Sequence, residues 1–322
     1  MDLPNLNRKL AATCTALALS LAQAVCADPP ERGFADPILG RWDLSMQGPD
    51  GPYPSWLEIR LRTERQLMGS FVGRFGSMRH LGEVSFSDGR LEFRLPVQYE
   101  RDADELVFEA TIEDHRLTGT MRAAESVATN WIGVPAPSLQ RGAPPDWGQP
   151  TTLIEGDSLA GWHPRSKDKP GCWSVVDGIL AATPPCVDLI SDRVFDDFML
   201  HIEFRYPQGS NSGIYLRGRY EVQIQDDHGK ALDPLRLGGV YGFIAPETDA
   251  ARPSGQWQTM DITLLGRRVT VVLNGTEIIA GREIPGITGG ALDSNEQEPG
   301  PIMLQGDHGP VQYRNIVLTQ AR

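Results

Sequence analysis

The chain has 322 residues, 40% of them hydrophobic and 22% charged, with 34 Gly and 25 Pro. That is the make-up of a globular, turn-rich protein of about two domains, in which strands outweigh helices. A formal net charge of -12 with no basic cluster argues against nucleic acid or an anionic membrane as partner, because neutralising phosphates takes a basic surface.

At the N-terminus, Arg8 and Lys9 precede the apolar run "LAATCTALALSLAQAV" (10–25), which ends in small residues before Asp28. A charged start, a short apolar stretch and a small-residue exit predict a secretory signal peptide over residues 1–27, cleaved after Ala27, and hence a secreted or periplasmic protein. The run is too short for a comfortable membrane span.

Period-two alternation follows in "SWLEIRLR" (55–62), "RLEFRLPV" (90–97), "ELVFEATIE" (105–113) and "RLTGTMRA" (116–123), separated by turn sequences such as "SDGR" (87–90). Residues 36–140 are therefore expected to form a small antiparallel β-barrel or sheet domain. The Pro- and Gly-rich stretch "APSLQRGAPPDWGQP" (136–150) leads out of it, with 141–150 as the linker.

From 151 to 322 at least eight further strand signals appear, including "FMLHIEFRY", "SGIYLRG", "YEVQIQD" and "VVLNGTEII". In the last of these, Asn274-Gly275 between β-branched runs marks a two-residue hairpin turn. The expected fold class is all-β, a jelly-roll β-sandwich behind the smaller domain. After leader cleavage only Cys172 and Cys186 would remain, flanking a hairpin-like stretch; a disulfide and two buried thiols are both open readings. Trp162, Trp173 and Trp257 are assigned to the core.

Side chains alternate across a strand, so each strand can be sorted by face. Taking Ile202, Phe204, Ile214, Leu216, Val222, Ile224, Ile302 and Leu304 as core leaves a polar face. It carries His201, Glu203, Arg205, Asn211, Tyr215, Arg217, Arg219, Glu221, Gln223, Gln225, Gln305 and Asp307, with His308 at a strand end. If these strands share one sheet, the face is rich in Arg, Gln and Tyr and has no Lys, unlike an ordinary solvated face. Planar polar groups and aromatic rings are what bind sugars.

The segments "NSGIYLRGRYEVQI" (211–224), "GGVYGFIAP" (238–246), "RPSGQWQTMDI" (252–262), "LNGTEI" (273–278) and "IMLQGDHGPVQYRNI" (302–316) resemble the 3-keto-disaccharide hydrolase family over residues 151–322. The resemblance implies a concanavalin-like β-sandwich. It also implies cleavage of glycosides already oxidised at carbon three, by proton abstraction at carbon two, β-elimination of the glycosidic oxygen and hydration. Such chemistry takes one general base, a group to hold the enolate oxygen and an acid for the leaving group. Paired carboxylates flanking the bond, as in ordinary glycosidases, are not required. Laminarinase-like glycosidases on similar sandwiches place acids at alternate positions of one strand, whereas this chain has Glu221, Gln223 and Gln225.

Under that reading Glu221 is the candidate base, or else an ion-pair partner of Arg217 or Arg219. Arg217 is the candidate for the enolate oxygen. His308 and Asp226 are the further candidates for proton transfer, and a divalent cation near Asp226 and His228 is a second use of that loop. No metal ligands are assigned. Glu203, Tyr215, Gln223, Tyr241 and Gln305 are the candidate sugar-binding residues. The alternative is a non-catalytic carbohydrate-binding protein. A classical hydrolase would need a second acid opposite Glu221, such as Glu203 or Asp307.

Overall fold

Alternating burial sorts the strands into inward and outward faces, and the inward faces build two large cores. This computed structural model describes residues 36–99, 105–123, 127–142, 145–166 and 172–322. The expected signal peptide lies outside them. Among the described residues the helical element is a single 3-10 turn, Asp36–Ile38, and no helix is long and apolar enough to cross a membrane.

Between Gly40 and Pro135 nine antiparallel strands form one sheet that curls onto itself. Its ends meet through Leu81 N to Gly69 O (3.0 Å), Gly82 N to Arg94 O (2.8 Å) and Arg94 N to Glu83 O (3.1 Å), giving a small barrel. In the strand Arg90–Pro96, Leu91, Phe93 and Leu95 point inward and the charged residues outward. Phe93 stacks on Phe108 at 4.5 Å and 11°, with Phe71 and Trp131 packed around them. Each such ring removed from water contributes about 1.5–3 kcal/mol.

The chain then forms a two-sheet jelly-roll sandwich, in accord with the expected fold class. Eight strands make the back sheet, with Phe198–Arg205, Gln258–Leu265 and Val311–Gln320 near its centre. Five make the front sheet, in the order Trp162–Pro164, Leu189–Phe195, Gly300–Leu304, Asn211–Leu216 and Tyr220–Gln225. Ile202, Phe204 and Ile262 from the back meet Ile214, Val222, Ile224 and Leu304 from the front. Asn274-Gly275 forms the expected tight turn, both residues having positive φ between paired Leu273 and Thr276.

Both faces of Asn211–Leu216 and Tyr220–Gln225 are buried, although alternation places only one of them in the core. The reason is a cover of loops. Residues 236–244 fold along the outer edge strand, with Gln223 N to Gly239 O (2.9 Å), Gly238 N to Gln223 O (2.8 Å) and Tyr241 N to Glu221 O (3.0 Å). The 288–292 loop covers the neighbouring stretch, and the barrel docks against it through Gly290 N to Arg74 O (2.9 Å).

The expected linker is laid against the sandwich. Arg141 pairs with Asp196 (2.8 Å) and Asp197 (2.5 Å), and Gly148 N donates to Gln320 O (2.9 Å). Cys172 and Cys186 form a disulfide, Cα–Cα 5.2 Å, across the hairpin of Trp173–Val176 and Ile179–Ala182. Trp162 and Trp173 are core, but Trp257 corrects its assignment: it is half-buried, with the Arg314 and Arg205 guanidinium groups over its ring at 4.1 and 4.8 Å.

Candidate active site

Strand register places the polar side chains of the front sheet in rows. Glu221 pairs with Tyr215 and Tyr215 with Met303, while Gly213 pairs with Gln223 and Gln305 N donates to Gly213 O (2.9 Å). Extending the Leu189–Leu304 pairing by one residue sets Asp188 beside Gln305. The second row therefore reads Asp188, Gln305, Gly213, Gln223, with the glycine at its middle. A Cβ on Gly213 would lie 2.2 Å from Glu221 Oε1 and 2.8 Å from its Cγ. The Glu221 carboxyl fills the space a side chain there would take.

Above these rows lies a cavity of about 370 Å³. Glu221, Tyr215, Gln223, Tyr241, Gln305 and His308, all expected at the site, line it together. Glu221 is only 3% exposed, and burial pushes its carboxyl up to about 8 against the opposing pull of the Tyr215 hydroxyl and the His308 charge. Tyr215 OH lies 2.9 Å from both Glu221 Oε2 and Gly289 O. It has one proton for two acceptors, so when it donates to Gly289 O its link to Glu221 requires a protonated carboxyl. When Glu221 is ionised the hydroxyl turns to the carboxylate.

At the cavity's mouth His308 Nδ1 lies 2.5 Å from Asp307 Oδ1, and that carboxylate raises the imidazole above its ordinary value. Asp188 accepts from Arg165 Nη1 (3.0 Å) and Gly306 N (3.2 Å), while Arg165 also donates to Gly290 O (2.9 Å). The carbonyl oxygens of the Gln223 and Gln305 side chains are buried and have no hydrogen-bond partner within the protein. Both residues line the cavity, so these oxygens are acceptors open to a hydroxyl group or a water within it.

Three expected site residues are elsewhere. Glu203 lies on the back sheet, where Arg314 Nε (2.7 Å) and Asn315 Nδ2 (2.6 Å) donate to it; the strand was read onto the wrong sheet. Arg217 follows the strand end with φ 51°, so alternation fails there. Its side chain, 0% exposed, turns away to Asp196 (3.0 Å), Tyr220 OH (3.0 Å) and Gly266 O (3.2 Å). Asp226 accepts from Gly209 N (2.8 Å) in a turn beyond the cavity. His228 sits 3.9 Å from Asp249, and among the described residues no three His, Cys, Asp or Glu side chains converge as metal ligands.

Arg165, Asp188, Phe75 and Tyr99 also line the cavity and were not singled out from sequence. Asp188 carried a faint signal, an acid at the start of a strand two residues after Cys186. The barrel residues carried none, because their place depends on docking. A second cavity, about 380 Å³, lies between the linker and the strand Arg268–Leu273, but its ionic groups are already engaged: Arg141 with Asp196 and Asp197, Arg267 with Glu296, Glu283 with Arg41, and Arg268 donating to Gly281 O (3.1 Å).

Over 147 residues the chain is 24% identical to the 3-keto-disaccharide hydrolase of Bacteroides thetaiotaomicron, covering 34% of this chain and 51% of that protein. It thus spans about half the length of that curated relative. A crystal structure from Parabacteroides distasonis, provisionally named a glycosyl hydrolase, aligns at 26% identity and TM-score 0.45, over 56% of this chain and 93% of that one. A second from the same organism and with the same naming aligns at 24% identity and TM-score 0.43, over 53% and 98%. Residues 149–319, more than half of the sequence, match the family described as the 3-keto-alpha-glucoside-1,2-lyase-like domain, and the chain belongs to that family.

Proposed function

We propose that the protein cleaves 3-keto-glycosides by elimination followed by hydration. The observation that carries this reading is a buried carboxyl of near-neutral proton affinity, Glu221, on the floor of a polar cavity whose other carboxylates are engaged. A C–H next to a ketone is a weak acid, and a base poised near neutral pH is suited to remove it. The family match and the name of the Bacteroides relative support the substrate class.

In this mechanism the Glu221 carboxylate takes the proton from carbon two, and the electron pair moves into a carbon two–carbon three enolate. Arg165, beside the floor, holds the enolate oxygen, the role sequence reading gave to Arg217. The enolate then expels the glycosidic oxygen from carbon one, and the His308 imidazolium gives that oxygen a proton. Water adding at carbon one of the resulting enone completes a net hydrolysis. The Gln223 and Gln305 oxygens accept sugar hydroxyls, and Tyr241 offers a ring to the sugar's C–H face. Tyr215 keeps the Glu221 carboxyl in place through its hydroxyl.

The test is a comparison of a 3-keto-disaccharide with its unoxidised parent, and of the keto form with deuterium at carbon two. Consumption of the keto form alone, slowed by deuterium, is expected. Equal turnover of the parent would overturn the reading in favour of a conventional glycosidase, and binding of the keto form without consumption in favour of a carbohydrate-binding protein.

A further inference from the structure

The sugar cavity does not end at the sandwich. Phe75 and Tyr99, from the barrel, form part of its wall and at the same time line a second cavity of about 230 Å³ in the barrel's mouth. These rings are 56% and 63% exposed and stand together on the rim shared by the two cavities. They are held in position. Gly76 has φ +83°, and a Cβ there would lie 2.4 Å from the Tyr99 ring. Tyr99 hydrogen-bonds Tyr241 of the sandwich, and Arg74 O accepts from Gly290 N in the loop that supports Tyr215. Arg74 lies over the Phe75 ring at 5.2 Å and the Tyr53 ring at 5.6 Å, which stiffens the rim.

Behind the rim the barrel mouth is lined by Met46, Phe71, Leu106, Phe108 and Met121. One polar atom there stands out: the Ser55 hydroxyl is fully buried, lines this cavity and has no hydrogen-bond partner within the protein. Apart from Ser55, the polar side chains of this lining, Tyr53, Arg74 and Tyr99, sit at the rim, and the wall behind them is apolar, so a second sugar unit seated there would leave several hydroxyls without a partner. A flat apolar ring carrying one hydroxyl matches this wall, resting on Phe75 and Tyr99 and reaching Ser55.

We propose that the barrel mouth is the aglycone site, and that the aglycone it takes is a phenolic aromatic group. This rests on the sugar-cleaving reading of the adjoining cavity, so the experiment reads the two separately. The full chain is titrated calorimetrically with 4-methylumbelliferone, a free phenolic aglycone, which needs no turnover. Phe75→Ala and Ser55→Ala are compared with the native protein; the first changes an exposed ring and the second removes a hydroxyl that the fold does not use. Saturable binding is expected, weakened about three- to tenfold by Phe75→Ala and by a similar factor by Ser55→Ala. In parallel, Ser55→Ala, at a position outside the sugar cavity, should lower kcat/KM for a 3-keto aryl glucoside by that factor while changing a 3-keto-disaccharide less than twofold. Absent binding, binding indifferent to both substitutions, or equal losses on the two keto substrates would each overturn the aglycone site. Failure of the native protein to consume either keto substrate, with phenol binding intact, would instead overturn the catalytic reading alone.

Discussion

Glu221 is expected to act as a base only when ionised, and burial raises its carboxyl to about 8. The kcat/KM for a 3-keto-glycoside should therefore climb with pH toward about 8 as Glu221 ionises and fall again where the His308 imidazolium, raised by Asp307, loses its proton, and a pH–rate profile checks this bell shape. Glu221→Gln keeps the shape but cannot take a proton, so turnover should drop by about 10²–10⁴-fold, with circular dichroism unchanged. Gly213→Ala probes the same carboxyl indirectly. Its methyl would occupy the place of Glu221 Oε1, 2.2 Å away, so the carboxyl must move. Displacing a reacting group by about 1 Å costs about 10²-fold in rate, which should appear in kcat. Sequence marked Glu221 correctly as a polar residue on a non-core face, but its proton affinity was not legible, because that depends on the loops that bury it.

At the level of elements, the hairpin clipped by Cys172 and Cys186 leads directly into Asp188, and the disulfide closes a loop of 14 residues' separation. Replacing both cysteines by serine should cost about 3 kcal/mol of stability, measured by chemical denaturation under non-reducing conditions. Much at this scale could be read in advance. Alternation assigned Ile202, Ile214, Val222 and Leu304 to the core, and Asn274-Gly275 to its turn. Alternation does not say which sheet a strand joins, so Glu203 was grouped with residues on the other side of the molecule. Nor does it survive a left-handed turn: Arg217 and Gly218, at φ 51° and 66°, reverse the chain before the next strand and send Arg217 away from the cavity. The Gly after Arg217 was the available clue.

Over the whole molecule, the barrel and sandwich meet around a buried ionisable group. Asp43 of the barrel is buried near Glu296, which in turn binds Arg267 Nη1 (3.1 Å) and Tyr220 OH (2.7 Å). Burial first, and the Glu296 charge second, push Asp43 well above the usual carboxylate range. Its folded form holds a proton that the unfolded chain has lost above about pH 4, so folding binds a proton there and stability falls as pH rises, by up to about 1.4 kcal/mol per unit. Glu221 acts with the same sign. Asp43→Asn should flatten part of that slope, seen as a smaller fall in Tm between pH 5 and 8 than in the native protein. Neither the interface nor this proton could be read from sequence, since Asp43 and Glu296 are 253 positions apart (296 minus 43). The loop along Tyr220–Gln225 has a consequence at this scale too. An exposed outer strand invites other chains to add to it, and this one is occupied by residues 236–244 on its own backbone groups. The segment that guards the protein against self-association also carries Tyr241 into the cavity. A variant that frees this loop to open a wider cavity would expose a sticky edge, so solubility sets a limit on how far the cavity can be enlarged from that side.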